Sequence, residues 1–231
     1  MQAHRSTYCH YKRFQAQMAY LHRFGYQVLS MNDVLTCLNG KTPIPPRAVA
    51  LTFDDGYENF YQYAWPVLQR YGFPCMVYLL SGLIGQASSW FERDGREAPL
   101  LMDRDRILQL RDLGVGFGSH GINHTKLAEV DTETVRREVT ESKAQLEQLL
   151  GAEVRHFCYP YGSHDLTAVN AVQAAGYRSA VTCQRAAATP LFDPYLLPRK
   201  AISYGDNLAG YFWKLAMKNE PKVEPLRWRV Q

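Results

Sequence analysis

The stretch that decides the fold is AVALTFDDG, residues 48–56, in which an apolar run ends in two adjacent carboxylates and a glycine. The apolar residues predict a buried strand, and Gly56 allows a sharp turn just beyond it. Two neighbouring carboxylates at the end of a core strand repel each other and lose hydration, so the fold has to compensate them. Asp55 is also suited to be the N-cap of a helix that begins near Tyr57. From this stretch alone, two interpretations remain open: Asp55 is a structural helix cap, or Asp54 and Asp55 are a reactive pair of acids.

The composition indicates a folded globular chain. Of its 231 residues 46% are hydrophobic and 21% are charged, and no apolar run reaches the roughly 18 residues that cross a bilayer. The net charge of +4 is mild and its basic residues are scattered, which argues against a nucleic-acid-binding protein. No signal peptide is evident, so we expect a cytoplasmic location as written, and association with the cell envelope if the natural start lies upstream.

Strand and helix patterns alternate along most of the chain. The predicted strands cover residues 26–31, 48–53, 74–80, 115–120, 156–159, 178–183 and 197–202. The predicted helices cover residues 11–24, 32–38, 58–71, 103–113, 131–150, 166–175 and 206–217. Residues 81–101 lack periodicity and predict a long loop that covers a site. The alternation predicts an α/β fold with a parallel sheet, either closed into a barrel or open and doubly wound, in a single domain over residues 1–231 that ends in a polar tail at 219–231.

Cysteine usage indicates a reducing compartment. The five cysteines are odd in number and include no C-x-x-C pair, which disfavours both a disulfide framework and a cysteine zinc site. Cys75 and Cys183 lie in apolar, strand-like runs. We therefore expect both to be small core residues.

Polar residues gather where three of the predicted strands end. They are the acid pair Asp54 and Asp55, the segment 119–124 and the segment 159–162. The carboxyl ends of parallel strands lie on one face of the fold, where sites are built. We expect these residues, although far apart in sequence, to converge.

His120 and His124 lie four residues apart with a glycine between them. Such a pair is often structural, with each ring satisfied by backbone partners or by solvent. Two histidines and one carboxylate nevertheless match a catalytic zinc site that leaves a position for water. Asp55 supplies the carboxylate, and Asp54 is then suited to take a proton from the water.

The segment Tyr-Pro-Tyr-Gly at 159–162 has a similar double interpretation. A Pro–Gly turn is common in any fold. In a site, the fixed bend would direct the backbone N–H of Tyr161 toward a developing oxyanion, with Tyr159 and Pro160 beside the substrate. Trp90, in the long loop, is suited either to stack on a sugar ring or to pack within the loop.

Three motifs together resemble those of the polysaccharide deacetylases with a NodB-type domain. They are TFDDG at 52–56, SH-x-x-x-H-x-x-L at 119–127 and F-x-YPYG at 157–162. The bacterial exopolysaccharide-associated branch is the most similar, because it also carries an F-x-x-Q-M-x-x-L helix, here at 14–21, and a Leu-Pro-Arg, here at 197–199.

The resemblance implies an irregular (β/α) barrel that binds a divalent metal, usually zinc, through Asp55, His120 and His124. It implies Asp54 as the general base and the Tyr161 N–H in the oxyanion hole. The reaction implied is hydrolysis of an N-acetyl group on an N-acetylated polysaccharide or oligosaccharide. Neither the particular glycan nor the oligomeric state follows from the motifs.

The sequence departs from the family pattern at two places. No histidine follows His164 to donate the proton that the leaving amine needs, and the upstream Tyr-His motif of the exopolysaccharide branch is missing. We expect that acid to lie outside a truncated N-terminus or to be absent. Cys158 stands where many relatives carry an arginine that pairs with the base. Arg199 is the candidate replacement, since a cation near Asp54 would keep it ionised.

Other functions remain open at this level. The same scaffold could deformylate or deacetylate a lipid-linked amino sugar. A metal-retaining pseudoenzyme or a glycan-binding module would explain the missing acid. The retained base beside the metal ligands favours an enzyme, because a binding module needs no base.

Overall fold

A computed structural model describes residues 7–92 and 97–221 of the chain. Seven short strands are named in chain order as β1 Gln27–Leu29, β2 Ala48–Ala50, β3 Thr52–Phe53, β4 Met76–Leu79, β5 Gly116–Ser119, β6 His156–Cys158 and β7 Ser179–Val181. Within the described ranges every strand pairing is parallel, with β1 beside β2 and the others in the order β3-β4-β5-β6-β7. The five-stranded sheet curls into half of a barrel, which confirms the predicted irregular (β/α) barrel.

Eight α-helices separate or flank these strands in the described ranges. They are α1 Tyr11–Arg23, α2 Met31–Leu38, α3 Trp65–Tyr71, α4 Ser89–Glu92, α5 Arg104–Asp112, α6 Thr132–Leu150, α7 Leu166–Ala174 and α8 Leu208–Met217. A π-helical turn, Phe60–Ala64, leads into α3. No helix in the described ranges is long and apolar enough to cross a membrane.

The opening stretch is not the single buried strand that its apolar run predicts. It divides into β2, which pairs with β1, and β3, which pairs with β4, and its side chains are only partly buried. Leu51 lies at the break, where its carbonyl oxygen accepts from the Met76 amide at 2.9 Å. The chain therefore passes from the two-stranded sheet to the five-stranded sheet just before Asp54 and Asp55.

The core lies between the sheet and the helices packed around it. The longest helix, α6, contributes Val135, Val139 and Leu146, all buried, and it packs against α7. Asp131 caps α6 by accepting from the Thr134 amide at 2.9 Å, as predicted. Gly151 ends the helix in a left-handed conformation (φ 64°), which glycine adopts without strain.

Three predictions near the C-terminal end of the barrel are wrong. Residues 197–202 form no strand, and only one isolated bridge joins Leu197 to Val181. Helix α8 is capped by Asn207 rather than Asp206, because the buried Asp206 carboxylate instead accepts from Ser203 and Lys214. Cys183 is exposed, because β7 ends two residues before it.

Two further predictions concern segments that lie partly outside the described ranges. The predicted loop at 81–101 contains the short helix α4, and its residues 93–96 lie outside the described ranges. Most of the predicted polar tail, residues 222–231, also lies outside them. The single-domain assignment therefore stays a prediction.

Candidate active site

The carboxyl ends of β3 and β5 bring the two predicted histidines and one of the acids together. The Nε2 atoms of His120 and His124 lie 3.3 Å and 3.4 Å from the same atom, Asp55 Oδ1. One ligand atom from each of the three side chains lies within 4.8 Å of the others. The convergence that was expected from strand ends is therefore present for these residues.

The backbone at the site is strained. Asp55 (φ 71°), His124 (φ 60°) and Tyr161 (φ 57°) all adopt the left-handed conformation that non-glycine residues avoid. They are three of the four such residues in the described ranges. Each such conformation costs about 1–3 kcal/mol and tends to occur where function requires it. The strain thus marks the same cluster that the motifs mark.

Two polar atoms of the cluster are buried without a hydrogen-bond partner among the described residues. They are Asp55 Oδ1 and His124 Nδ1. A buried carboxylate oxygen without a donor costs about 1–3 kcal/mol or more, so native proteins rarely retain one without a counter-group. A cation between Asp55 and the two Nε2 atoms would satisfy the oxygen. Two imidazole nitrogens and one carboxylate oxygen are a donor set that suits zinc.

The two histidines are held differently. His120 is 2% exposed, and its Nδ1 lies 2.7 Å from the carbonyl oxygen of Cys158. That oxygen can only accept, so Nδ1 carries a proton and Nε2 is the ring nitrogen that faces Asp55. His124 lacks a comparable bond, and its ring lies between Trp90 and Tyr161, each with its centroid 4.3 Å away.

The pKa values of the two histidines shift in opposite directions. Burial opposes a charge on His120, but Cys158 and Asp55 outweigh it and raise the pKa of this histidine. We attribute the rise to the carboxylate, because burial raises the pKa of the Cys158 thiol and keeps it neutral. Burial lowers the pKa of His124 to about 4, so this imidazole is neutral at pH 7 and available as a ligand.

The second acid, Asp54, is paired with Arg199. The guanidinium Nη1 lies 2.6 Å from Oδ1 and Nη2 lies 2.8 Å from Oδ2, which is a bidentate ion pair. Arg199 also donates to the carbonyl oxygen of Thr182 and to the Cys158 sulfur, at 3.0 Å and 3.2 Å. Burial alone would raise the pKa of Asp54, but Arg199 holds it well below its usual range. The Asp54 side chain remains 33% exposed and so can meet a water or a substrate.

The predicted substrate contacts, Trp90, Tyr159 and Pro160, and the predicted oxyanion residue Tyr161 differ in exposure. Trp90 is partly buried and Tyr161 is 51% exposed, so both present ring surface beside His124. Tyr159 and Pro160, in contrast, are buried, and the Tyr159 ring packs on Phe157. Their side chains are closed to solvent, and the substrate contacts expected of them stay a prediction. They shape the turn that presents Tyr161.

Two residues beside the site are missed by the motif reasoning. Burial and the neighbouring Asp55 carboxylate raise the pKa of Tyr57, which keeps its hydroxyl protonated. Glu138 is a buried carboxylate within the apolar stripe of α6 between Val135 and Val139. A charged residue inside the apolar stripe of a predicted helix is visible in the sequence, and this pattern could have identified Glu138.

Comparison with known proteins identifies the family. The family model for polysaccharide deacetylases matches residues 41–180, more than half of the chain. The chain belongs to the polysaccharide deacetylase family. The resemblance drawn from the three motifs is therefore confirmed.

Two curated relatives are similar in sequence to this polysaccharide deacetylase. YxkH of Bacillus subtilis, which is named after the same family, is 28% identical over 194 residues, which span 84% of this chain and 65% of YxkH. The poly-β-1,6-N-acetyl-D-glucosamine N-deacetylase of Staphylococcus aureus is 22% identical over 200 residues, which span 83% of this chain and 66% of the relative. The chain thus spans slightly less than two thirds of the length of these relatives.

Solved structures show the same fold. The Streptococcus pyogenes deacetylase PplD, in complex with acetate, superposes with a TM-score of 0.79 at 23% identity, over 90% of this chain and 87% of PplD. IcaB from Ammonifex degensii superposes with a TM-score of 0.73 at 20% identity, over 89% of each chain. At these identities the likeness establishes the fold alone.

Proposed function

We propose that this polysaccharide deacetylase hydrolyses the N-acetyl group of an amino-sugar glycan in exopolysaccharide or envelope synthesis, and that it does so with a zinc ion. The observation that carries the proposal is the meeting of Asp55, His120 and His124 around a buried carboxylate oxygen with no donor among the described residues. The relative from Staphylococcus aureus, which is named for the N-deacetylation of a polymer of N-acetylglucosamine, supports the substrate class.

The three clustered side chains would hold the zinc ion. When bound, zinc supplies Lewis acidity, which polarises a carbonyl group and makes a bound water more acidic. The lone pairs at the Nε2 atoms of His120 and His124, together with Asp55 Oδ1, are the donors that the site offers.

Asp54 is the proton acceptor in this proposal. Its carboxylate is ionised because of Arg199 and is partly exposed beside the three ligands. The same ion pair lowers its basicity, so Asp54 accepts a proton only from a water whose own pKa is low. Arg199 acts as a positioning residue, because its planar fork fixes both carboxylate oxygens at once.

The turn at Pro160–Gly162 would stabilise the negative charge that develops on the acetyl oxygen. Tyr161 lies at the centre of this turn in a left-handed conformation, and the Gly162 amide closes the turn by donating to the Tyr159 carbonyl oxygen at 2.8 Å. We assign the Tyr161 amide to the oxyanion. The rings of Trp90 and Tyr161 flank His124 and offer apolar faces to a sugar ring.

Acetate release from N-acetylglucosamine oligosaccharides tests this function directly. The chain is stripped with a chelator, reloaded with zinc and compared with Asp55→Asn, Asp54→Asn and the exposed control Asp112→Asn. We expect zinc-dependent release by the unchanged chain and by the control. Asp55→Asn should bind zinc poorly, whereas Asp54→Asn should bind it normally but turn over about 10²–10⁴-fold more slowly, as expected for loss of a general base.

Three outcomes would contradict the proposal. Zinc binding by the unchanged chain without any acetate release would favour a glycan-binding module or a pseudoenzyme. Release of formate from N-formylated sugars, with none from N-acetylated ones, would favour a deformylase. Acetate release that survives Asp55→Asn and chelation would remove the metal site from the reaction.

A further inference from the structure

Glu138 is a buried charge that contacts the loop between the two histidines. It is 1% exposed on α6. Its Oε2 accepts from the backbone amides of Ile122 (2.7 Å) and Asn123 (3.1 Å). Its Oε1 accepts from Asn123 Nδ2 and from the hydroxyl of Thr125, both at 3.0 Å. One carboxylate therefore satisfies four donors from a single loop.

Within the described ranges, no arginine or lysine forms an ion pair with Glu138. The basic side chains pair instead with acids such as Asp54, Glu58 and Asp206. An unpaired buried carboxylate is costly unless hydrogen bonds compensate it fully. The four loop donors provide that compensation, so the carboxylate and the loop conformation stabilise each other.

The other side of the loop is held as well. The carbonyl oxygens of Gly121 and Ile122 accept from the amides of Ser81 and Gly82, at 3.0 Å and 3.1 Å. Gly121 has a φ of 85°, and a Cβ there would lie 3.0 Å from Glu138 Oε2. The carboxylate thus packs directly on the backbone, at a position where glycine satisfies both the conformation and the space.

This arrangement matters most for His124. The His120 ring is oriented by its own bond to the Cys158 carbonyl oxygen, but His124 Nδ1 has no partner among the described residues. Its position depends on the backbone of the loop and on the flanking rings of Trp90 and Tyr161. The backbone at His124 is also strained, so it needs a neighbour that holds it.

We propose that Glu138 is a positioning residue that fixes the 121–125 loop and thereby places His124 for zinc binding. The inference rests on the proposed function, since it assumes that His124 is a ligand. Glu138 itself contacts neither a ligand atom nor the substrate. Its effect is on metal affinity through the geometry of the loop, as outer hydrogen-bond partners of metal sites generally act.

Zinc affinity, measured by competition with a chromophoric chelator, tests the inference independently of catalysis. We expect Glu138→Ala to weaken zinc binding by about 10–100-fold. Glu138→Gln keeps an oxygen for the two backbone amides, but its NH₂ replaces the acceptor of Thr125 and of Asn123 Nδ2. Because the Asn123 amide has to turn its oxygen toward that NH₂, we expect a loss of affinity that is smaller than in Glu138→Ala. Thr125→Val removes one donor without exposing a charge, and it should weaken binding by less than Glu138→Ala.

Two controls on the same helix separate positioning from general stability. Glu141→Ala removes an exposed glutamate and should change neither thermal stability nor zinc affinity. Val139→Ala makes a cavity at a fully buried core residue, so it should lower the unfolding temperature of the zinc-free chain yet leave zinc affinity within about twofold.

The outcomes distinguish this inference from the proposed function. If the unchanged chain binds zinc and Glu138→Ala binds it equally well, the positioning role is wrong. An equal loss of affinity in Val139→Ala and Glu138→Ala would also overturn it, because stability alone would then explain the effect. If Glu138→Ala does not fold, an unchanged affinity in Thr125→Val overturns it instead. A chain that binds no zinc at all contradicts the proposed function.

Discussion

Two buried histidines at opposite ends of neighbouring strands serve different purposes. His120 follows β5 and His156 begins β6, and each is 2% exposed. Both ring nitrogens of His156 are used, Nδ1 with Ser179 Oγ at 2.8 Å and Nε2 with Asn32 Oδ1 at 3.2 Å. His120 uses only Nδ1 in this way and turns Nε2 toward Asp55.

The electrostatic surroundings of the two histidines differ in sign. Burial and the cationic Arg155 lower the pKa of His156 to about 4, so this ring stays neutral inside the fold. The pKa of His120 is raised despite its burial. Equal burial therefore does not separate a structural histidine from a candidate ligand. The candidate ligand is distinguished instead by a ring nitrogen that faces a carboxylate.

The largest expected effect comes from exchanging each histidine for glutamine. His120→Gln removes a proposed ligand and should weaken zinc binding and deacetylation by more than about 100-fold, beyond the loss expected for an outer partner. His156→Gln should lower the unfolding temperature but leave zinc affinity nearly unchanged. Chelator competition and thermal unfolding of the two variants measure the contrast, and similar zinc affinities in both would break it.

An intermediate effect is expected at the ion pair beside His120. In Arg199→Ala, the largest opposition to burial is lost and the pKa of Asp54 rises, so the acid becomes protonated at higher pH. Because Asp54 must be ionised to accept a proton, the acidic limb of the kcat/KM profile should move to higher pH. Activity should fall about 10-fold more at pH 6 than at pH 8.

The matched control for this change is Arg199→Lys. It keeps the positive charge but loses the bidentate fork, so it should restore part of the pH profile and less of the rate. A uniform loss at every pH in Arg199→Ala would show that Arg199 acts through structure rather than through the ionisation of Asp54.

The last effect is on stability rather than on activity, and it concerns His156. Its pKa lies below the value of 6.5 that holds in the unfolded chain, so the unfolded state binds the extra proton and stability falls as the pH drops. The decline begins near pH 6.5 and amounts to about 3 kcal/mol by pH 4, at about 1.4 kcal/mol for each pKa unit. Urea unfolding at pH 7 and pH 4.5 should show this decline reduced in His156→Gln, and an equal decline in both chains would contradict it.

Local sequence patterns correctly predicted those features that depend on interactions between residues close together in the chain. Asp131 and Gly151 bound α6 as expected, because a cap bond and a left-handed glycine depend on residues within a turn of the helix. The Arg199–Asp54 contact is present where a cation was expected to compensate the acid pair. The expectation drew on a family resemblance, since nothing local links residues 145 positions apart.

Other features depended on contacts that no local pattern carries. Asp206 looked like a helix cap, yet Lys214 and Ser203 bind its carboxylate, and Asn207 caps α8 instead. The Tyr-Pro-Tyr-Gly motif did not show that the Tyr159 side chain is fully buried and packs on Phe157.

The sequence by itself determined most of the order of strands and helices, the three motifs and hence the polysaccharide deacetylase family. These follow from the spacing of residues within short windows. Only the tertiary structure showed that Asp55 Oδ1 is the atom that faces the two Nε2 atoms, that Arg199 binds both oxygens of Asp54 and that Glu138 holds the loop of His124. Such pairings depend on how strands that are distant in the chain lie side by side, and the free energy of packing fixes that arrangement for the chain as a whole.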